Sequence, residues 1–180
     1  AVIDAIRYCY EAEYANVHRG VYWLSERATE AFDGARETVR SFINAAKTSE
    51  IVFVSGATEA INLVASSYGG TFLEAGDEVV ISHMEHHSNQ TSWLETIAKV
   101  VIIPPGKNGL FSLNNLKVLL EQYKDYTLKI ATVTGGSNVT GIQVPCHDIA
   151  KLMHSYDGVC FVDYACAAPY IDIDMHTEDK

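Results

Sequence analysis

The chain has 180 residues, 48% of them hydrophobic and 20% charged, an ordinary globular balance long enough for one substantial core. Its formal net charge of −10 argues against a nucleic-acid surface, which needs a basic face, and favours solubility. No apolar run is long enough to span a bilayer, and Cys9, Cys146, Cys160 and Cys166 form no C-x-x-C pair. Reduced thiols in a cytoplasm are the simplest reading of such cysteines.

Residues 1–14 read as a helix already under way at Ala1, and His176 to Lys180 close the chain on no evident terminus. Both ends are therefore expected to be cut from something longer. Ser25 suits the N-cap of a long helix running to about Asn44. Ile51-Val52-Phe53-Val54 reads as a buried strand, followed by a helix from Thr58 to about Ser67 with Ile61, Leu63 and Val64 on one side. Four more short β-branched runs follow at Glu78–Ile81, Val100–Ile103, Ile130–Val133 and Val159–Val162. They are nearly continuous in apolarity, the mark of strands covered on both faces. Helices fit residues near 89–98, 112–123 and 145–156, the last with Pro145 in its first turn. This alternation predicts an α/β fold with a mainly parallel sheet and helices on both faces, its core spanning about residues 25–175.

Parallel sheets place ligands beyond the carboxyl ends of their strands. Here those ends deliver Ser55-Gly56-Ala57-Thr58-Glu59, His83-Met84-Glu85-His86-His87-Ser88-Asn89, Gly135-Gly136-Ser137-Asn138 and Asp163-Tyr164-Ala165-Cys166. Small, polar and ionisable groups thus gather at one edge. Gly56-Ala57-Thr58 opens a helix, where backbone N–H groups, the helix dipole and the Thr hydroxyl favour a phosphate; the same residues also serve as a plain cap. Asp163 ends an apolar strand, where a carboxylate is costly without a cation. A protonated pyridine nitrogen is one such partner, and a capping or loop aspartate is the ordinary alternative. The cluster His83, Glu85, His86 and His87 matches neither H-E-x-x-H nor its inverse, so no metal is expected there. An imidazole stacked on an aromatic cofactor competes with a structural histidine.

In order along the chain, Tyr14-Ala15-Asn16-Val17-His18-Arg19-Gly20, Leu24–Thr29, Ala57–Val64, Gly76-Asp77-Glu78, Met84–Asn89, Ser137–Gly141 and Val162-Asp163 resemble the Suf-type, or group II, cysteine desulfurases of aminotransferase class V. The resemblance covers almost the whole chain. It implies a pyridoxal 5'-phosphate (PLP) fold type I large domain, usually in a homodimer, acting on a small amino-acid substrate and passing sulfur to an acceptor protein. Carried over residue by residue, it implies that His86 is the catalytic histidine stacked on the pyridine ring. Asp163 would pair with the ring nitrogen, and Ala165 would pack on the opposite ring face. Ala57 and Thr58 would hold the phosphate. Asn138 would lie near the phenolic oxygen and the substrate carboxylate, with His18 and Arg19 close to the substrate.

Three departures stand out. The family's V-D-G-A-Q is Val162-Asp163-Tyr164-Ala165-Cys166, and its H-V-S-N is Gly135-Gly136-Ser137-Asn138. The S-x-H-K segment, with the lysine that carries the cofactor, does not occur among these residues, and Lys180 lacks that context. The expected activity is that of a PLP-dependent cysteine desulfurase, with the chain as given inactive. Another class V reaction, of transaminase, racemase or lyase type, is the alternative, and a non-catalytic truncated product is the second. Without later strands, Ile51–Val54 is expected to keep an open edge and to favour association.

Overall fold

The computed structural model describes residues 1–123 and 129–176. They form two compact units, one of residues 1–53 and 172–176, the other of residues 54–171.

The first unit begins with α1 (Val2–Tyr8), which continues as a wider helical turn over Cys9–Glu13. A loop then leads to α2 (Trp23–Phe42). Ser25 does not cap this helix: the cap position is Tyr22. The fully buried Ser25 side chain instead donates to the Asn16 carbonyl at 2.7 Å and so fastens the preceding loop. Nor do residues 51–54 form a strand. A short turn over Thr48–Glu50 leads into them, and no ladder includes them. The Ile51 carbonyl accepts from Arg36, whose guanidinium lies 5.2 Å from the ring centres of both Phe32 and Phe53. A cation–π clasp thus occupies backbone that a neighbouring strand would have paired.

The second unit carries the predicted parallel sheet. Helix α3 (Ala57–Val64) runs on through a wide turn at Ala65–Gly69 and the short α4 (Gly70–Phe72). Then come β1 (Glu78–Ile81), α5 (Ser88–Leu94), β2 (Lys99–Ile102) and α6 (Leu113–Gln122). The last elements are β3 (Lys129–Thr134), α7 (Cys146–His154) and β4 (Val159–Asp163). The order across the sheet is β2-β1-β3-β4, and every pairing is parallel. Successive residues face opposite layers. Val80, Ala131 and Val133 pack with Leu116, Leu120, Ile149 and Met153 on one side. Val79, Ile81 and Ile130 pack with Ala65, Leu73 and Trp93 on the other. Helix α5 is shorter than the predicted 89–98, because the Thr96 hydroxyl takes the Trp93 carbonyl at 2.7 Å and ends it.

Candidate active site

Parallel topology decides which residues share an edge. The segments after β1, β3 and β4 all leave from the carboxyl end of the sheet, which brings the loops carrying His86, Asn138 and Asp163–Ala165 to one side. Helices α3 and α5 both lead back toward the starts of strands, β1 and β2 respectively, so their first turns lie at that same edge. Asn62 of α3 and Ser92 of α5 join them through a 3.0 Å hydrogen bond.

At the start of α3 the cap position is Gly56, so Thr58 is not the cap. A side chain added at Gly56 would meet nothing within 4 Å. The Glu59 carboxylate folds back to accept from the Ser55 N–H at 2.7 Å and from the Ser55 hydroxyl, while among the described residues no hydrogen bond engages the N–H groups of Ala57 and Thr58. Ala57 and Thr58 are exposed, and no hydrogen bond engages the Thr58 hydroxyl among the described residues. A helix start of this kind suits an anion.

The segment after β1 is built around Glu85. Its Oε1 accepts from the Thr134 N–H at 3.0 Å and from the Ser82 hydroxyl. Its Oε2 accepts from Asn89 Nδ2 at 2.7 Å. Asn89 Oδ1 in turn accepts from the Thr132 hydroxyl at 2.6 Å and from Trp93 Nε1 at 3.4 Å. Burial pushes the Glu85 carboxyl above the ordinary carboxylate range. The donors of Ser82, Thr134 and Asn89 pull the other way, and the negative charge of Asp163 adds a smaller upward push.

His86 is exposed beside this network. Its Nδ1 accepts from the Ser88 N–H at 3.2 Å and lies 2.7 Å from Ser88 Oγ, so the neutral ring carries its proton on Nε2. The ring face is available for stacking. His83 is used elsewhere, with Nε2 at 2.9 Å from the Gly109 carbonyl. Among the described residues no three His, Cys, Asp or Glu side chains are arranged to hold a metal ion.

After β4, the Ala165 N–H donates to Asp163 Oδ1 at 2.9 Å. Among the described residues Oδ2 accepts no hydrogen bond, which leaves it for a cationic partner. After β3, Ser137 Oγ accepts from the N–H groups of Val139 and Thr140, each at 3.3 Å, and Gly141 adopts φ +69°. This tight turn presents Asn138 at the surface. A cavity of about 380 Å³ lies between the two loops, lined by Ser137, Asn138, Gln143, Cys166 and Tyr170 among others.

The two departures in these loops meet in space. A Cβ at Gly135 would stand 2.5 Å from Cδ1 and Cε1 of Tyr164. The tyrosine ring therefore fills the place of any side chain at position 135. Its hydroxyl is paired with the Cys146 thiol, and burial pushes both groups upward in pKa.

His18 and Arg19 belong to the first unit. The His18 N–H donates to Thr29 Oγ1 at 3.0 Å, its ring lies 3.4 Å from Asp33 Oδ1, and its φ is +57°. Arg19 is exposed. The structure thus gathers Ala57, Thr58, His86, Asn138, Asp163 and Ala165 at one sheet edge, and sets His18 and Arg19 in the other unit. Lys180 lies outside the described residues. Glu85 and Asn89 are the site residues that sequence reasoning missed as a pair; the Met84–Asn89 motif contains both, but their partners on β3 do not show in the motif.

The aminotransferase class-V family model matches residues 1–179. A cysteine desulfurase of Synechococcus elongatus is 40% identical over 99% of this chain and 28% of its own length. A probable cysteine desulfurase of Halalkalibacterium halodurans is 40% identical over 97% of this chain and 43% of its own. Among solved structures, the apo cysteine desulfurase of Thermococcus onnurineus NA1 matches with a TM-score of 0.84 at 30% identity, over 96% of this chain and 42% of that one. The cysteine desulfurase CsdA of Escherichia coli matches with a TM-score of 0.81 at 33% identity, over 96% and 43%. This chain spans less than half the length of each of these relatives.

Proposed function

Because the chain belongs to the aminotransferase class V family, we propose that it supplies the cofactor-binding part of a PLP-dependent cysteine desulfurase, which takes sulfur from L-cysteine to a protein thiol and leaves alanine. The observation that carries this reading is the edge itself. An open helix start, an exposed imidazole and a carboxylate with one free oxygen stand at the carboxyl ends of one parallel sheet. A phosphate, an aromatic ring face and a pyridinium nitrogen are the three groups such a set holds.

Ala57 and Thr58 bind the phosphate through backbone N–H groups and the Thr hydroxyl. His86 stacks on the ring, and Ala165 packs against its other face. Asp163 keeps the ring nitrogen protonated, and Asn138 orients the phenolic oxygen and the substrate carboxylate. His18 and Arg19 serve the substrate. When bound, PLP supplies an electron sink for charge that develops next to the substrate amine. The resemblance of Tyr14–Gly20, which holds His18 and Arg19, to the Suf-type branch is what supports that branch here, and with it a homodimer and a sulfur-acceptor partner. Four cysteines without a disulfide suit a reducing cytoplasm. Gly135, Tyr164 and Cys166 favour one second reading, a different class V reaction on the same scaffold, since they alter the loops that flank Asn138 and Asp163.

PLP titration followed by absorbance tests the cofactor site. Asp163→Asn and Thr58→Ala are each expected to weaken binding, by about tenfold for a lost charge-assisted hydrogen bond. Borohydride reduction is expected to leave no pyridoxyl group on a specific lysine of this chain. Identical titrations for the wild type and both variants would remove the reading.

A further inference from the structure

The loop that carries His86 is held by hydrogen bonds whose polarity is fixed from outside. Trp93 Nε1 can only donate, and it points at Asn89 Oδ1 together with the Thr132 hydroxyl. Asn89 must therefore turn its Nδ2 toward Glu85, where it donates at 2.7 Å. The Thr134 N–H, also a pure donor, faces the other carboxylate oxygen at 3.0 Å. Both oxygens of residue 85 thus meet obligate donors, and only a carboxyl group accepts on both sides. The Ser82 hydroxyl, next to Oε1, can donate to a carboxylate or accept from a carboxylic acid. These contacts tie the end of β1, the end of β3 and the first turn of α5 into one unit. Asn89 and Trp93 are almost completely buried. His86 follows Glu85 directly; its Nδ1 meets Ser88 at the start of α5, and its carbonyl accepts from the Asn89 N–H at 2.9 Å.

We propose that Glu85 is a positioning residue for His86: the Glu85–Asn89 pair sets the orientation and place of the imidazole that stacks on the cofactor. In this role Glu85 acts through the loop, by way of Asn89, Ser82 and Thr134. The cofactor part of this inference rests on the function proposed above, whereas the positioning of His86 does not.

The pair has a distinctive chemical signature. Glu85→Gln keeps shape but sets an amide NH₂ against one of the two fixed donors, whichever way it is flipped. Adding Asn89→Asp reverses the polarity of the contact. The carboxylate then at position 89 accepts from the amide at position 85, from Thr132 and from Trp93. The amide carbonyl at position 85 accepts from Thr134 and Ser82. The wild type, Glu85→Gln and the Glu85→Gln, Asn89→Asp double variant are compared in the 180-residue chain. Hydrogen exchange of residues 83–88 and the ¹⁵N shifts of the His86 ring are measured without cofactor, and PLP affinity is measured by titration. The single variant is expected to lose loop protection and the fixed Nε2–H tautomer, and to bind PLP about tenfold more weakly, the factor of one buried donor left without an acceptor. The double variant is expected to recover all three. Unchanged exchange and ring shifts in Glu85→Gln, or failure of the double variant to recover them, would overturn the proposal. A wild type that does not bind PLP would sink the cofactor reading alone, with exchange and ring shifts still deciding the role of Glu85. If Glu85→Gln alone does not fold, recovery of a folded chain with a wild-type His86 tautomer in the double variant decides for it, and failure against it.

Discussion

The segments that follow β1 and β4 stand at the same sheet edge and are fixed by opposite means. After β1, Glu85 and Asn89 hold the chain through directional hydrogen bonds to Ser82, Thr132, Thr134 and Trp93. After β4, a ring is pressed against a residue with no side chain: Tyr164 lies where a Cβ of Gly135 would be. The first arrangement depends on which atoms donate and which accept. The second depends on volume. A ligand site built on both is sensitive to polarity at His86 and to size beside Asn138.

The sharpest way to break this contrast is Asn89→Leu. It removes a single amide that serves Glu85, Thr132 and Trp93 at once, and leaving such groups buried without partners is expected to cost about 3–5 kcal/mol. Urea unfolding measures it, and a loss under about 1 kcal/mol would mean that apolar packing, not polarity, holds the β1 end. Next in size is Gly135→Ala, expected to cost about 1–3 kcal/mol through overpacking against Tyr164. In a Tyr164→Ala background the same change should cost almost nothing. A double-mutant cycle reads the coupling, and additive losses would show that the two positions do not share one space.

The smallest expected effect is a slope. Burial holds the Glu85 carboxyl above its ordinary value of 4.5, with Asp163 adding to the push, so the folded state binds more protons than the unfolded one just above that pH. Stability from this group is present below the unfolded value and is lost as pH rises toward the raised folded value. Glu85→Gln should flatten unfolding free energy against pH in that window. An unchanged slope would assign it to other carboxylates. Cys146 also faces this charge but titrates far above the window.

The sheet was legible because β1 and β3 carry β-branched residues that both layers bury, with the half-buried β4 packed against the same two layers, so periodicity and burial agree. Ile51–Val54 has the same composition and no ladder: apolar character does not supply a partner strand, and Arg36 takes the Ile51 carbonyl instead. Ser25 has the chemistry of a cap, but the Asn16 carbonyl competes for it. At the site, the residues just after strands were legible as an edge from topology alone. The function of Glu85 was not, because its partner Thr134 lies 49 residues away in sequence and meets it only through the β1–β3 pairing. The exchange of bulk between positions 135 and 164 was visible only as two unrelated departures until a distance joined them.

The four thiols fall into two chemical populations on one chain. Cys9 and Cys166 are exposed, whereas Cys146 is buried and the Cys160 thiol is pushed by burial up to about 12. Alkylation requires the thiolate, so a reagent at neutral pH should label the first pair in the native state and pass over the second. Cys146 opens α7, and Cys160 lies in β4 at the β3 junction. Their labelling would therefore time the opening of this layer of the sheet. The chain carries its own pair of unfolding clocks, read by peptide mass without any added probe group.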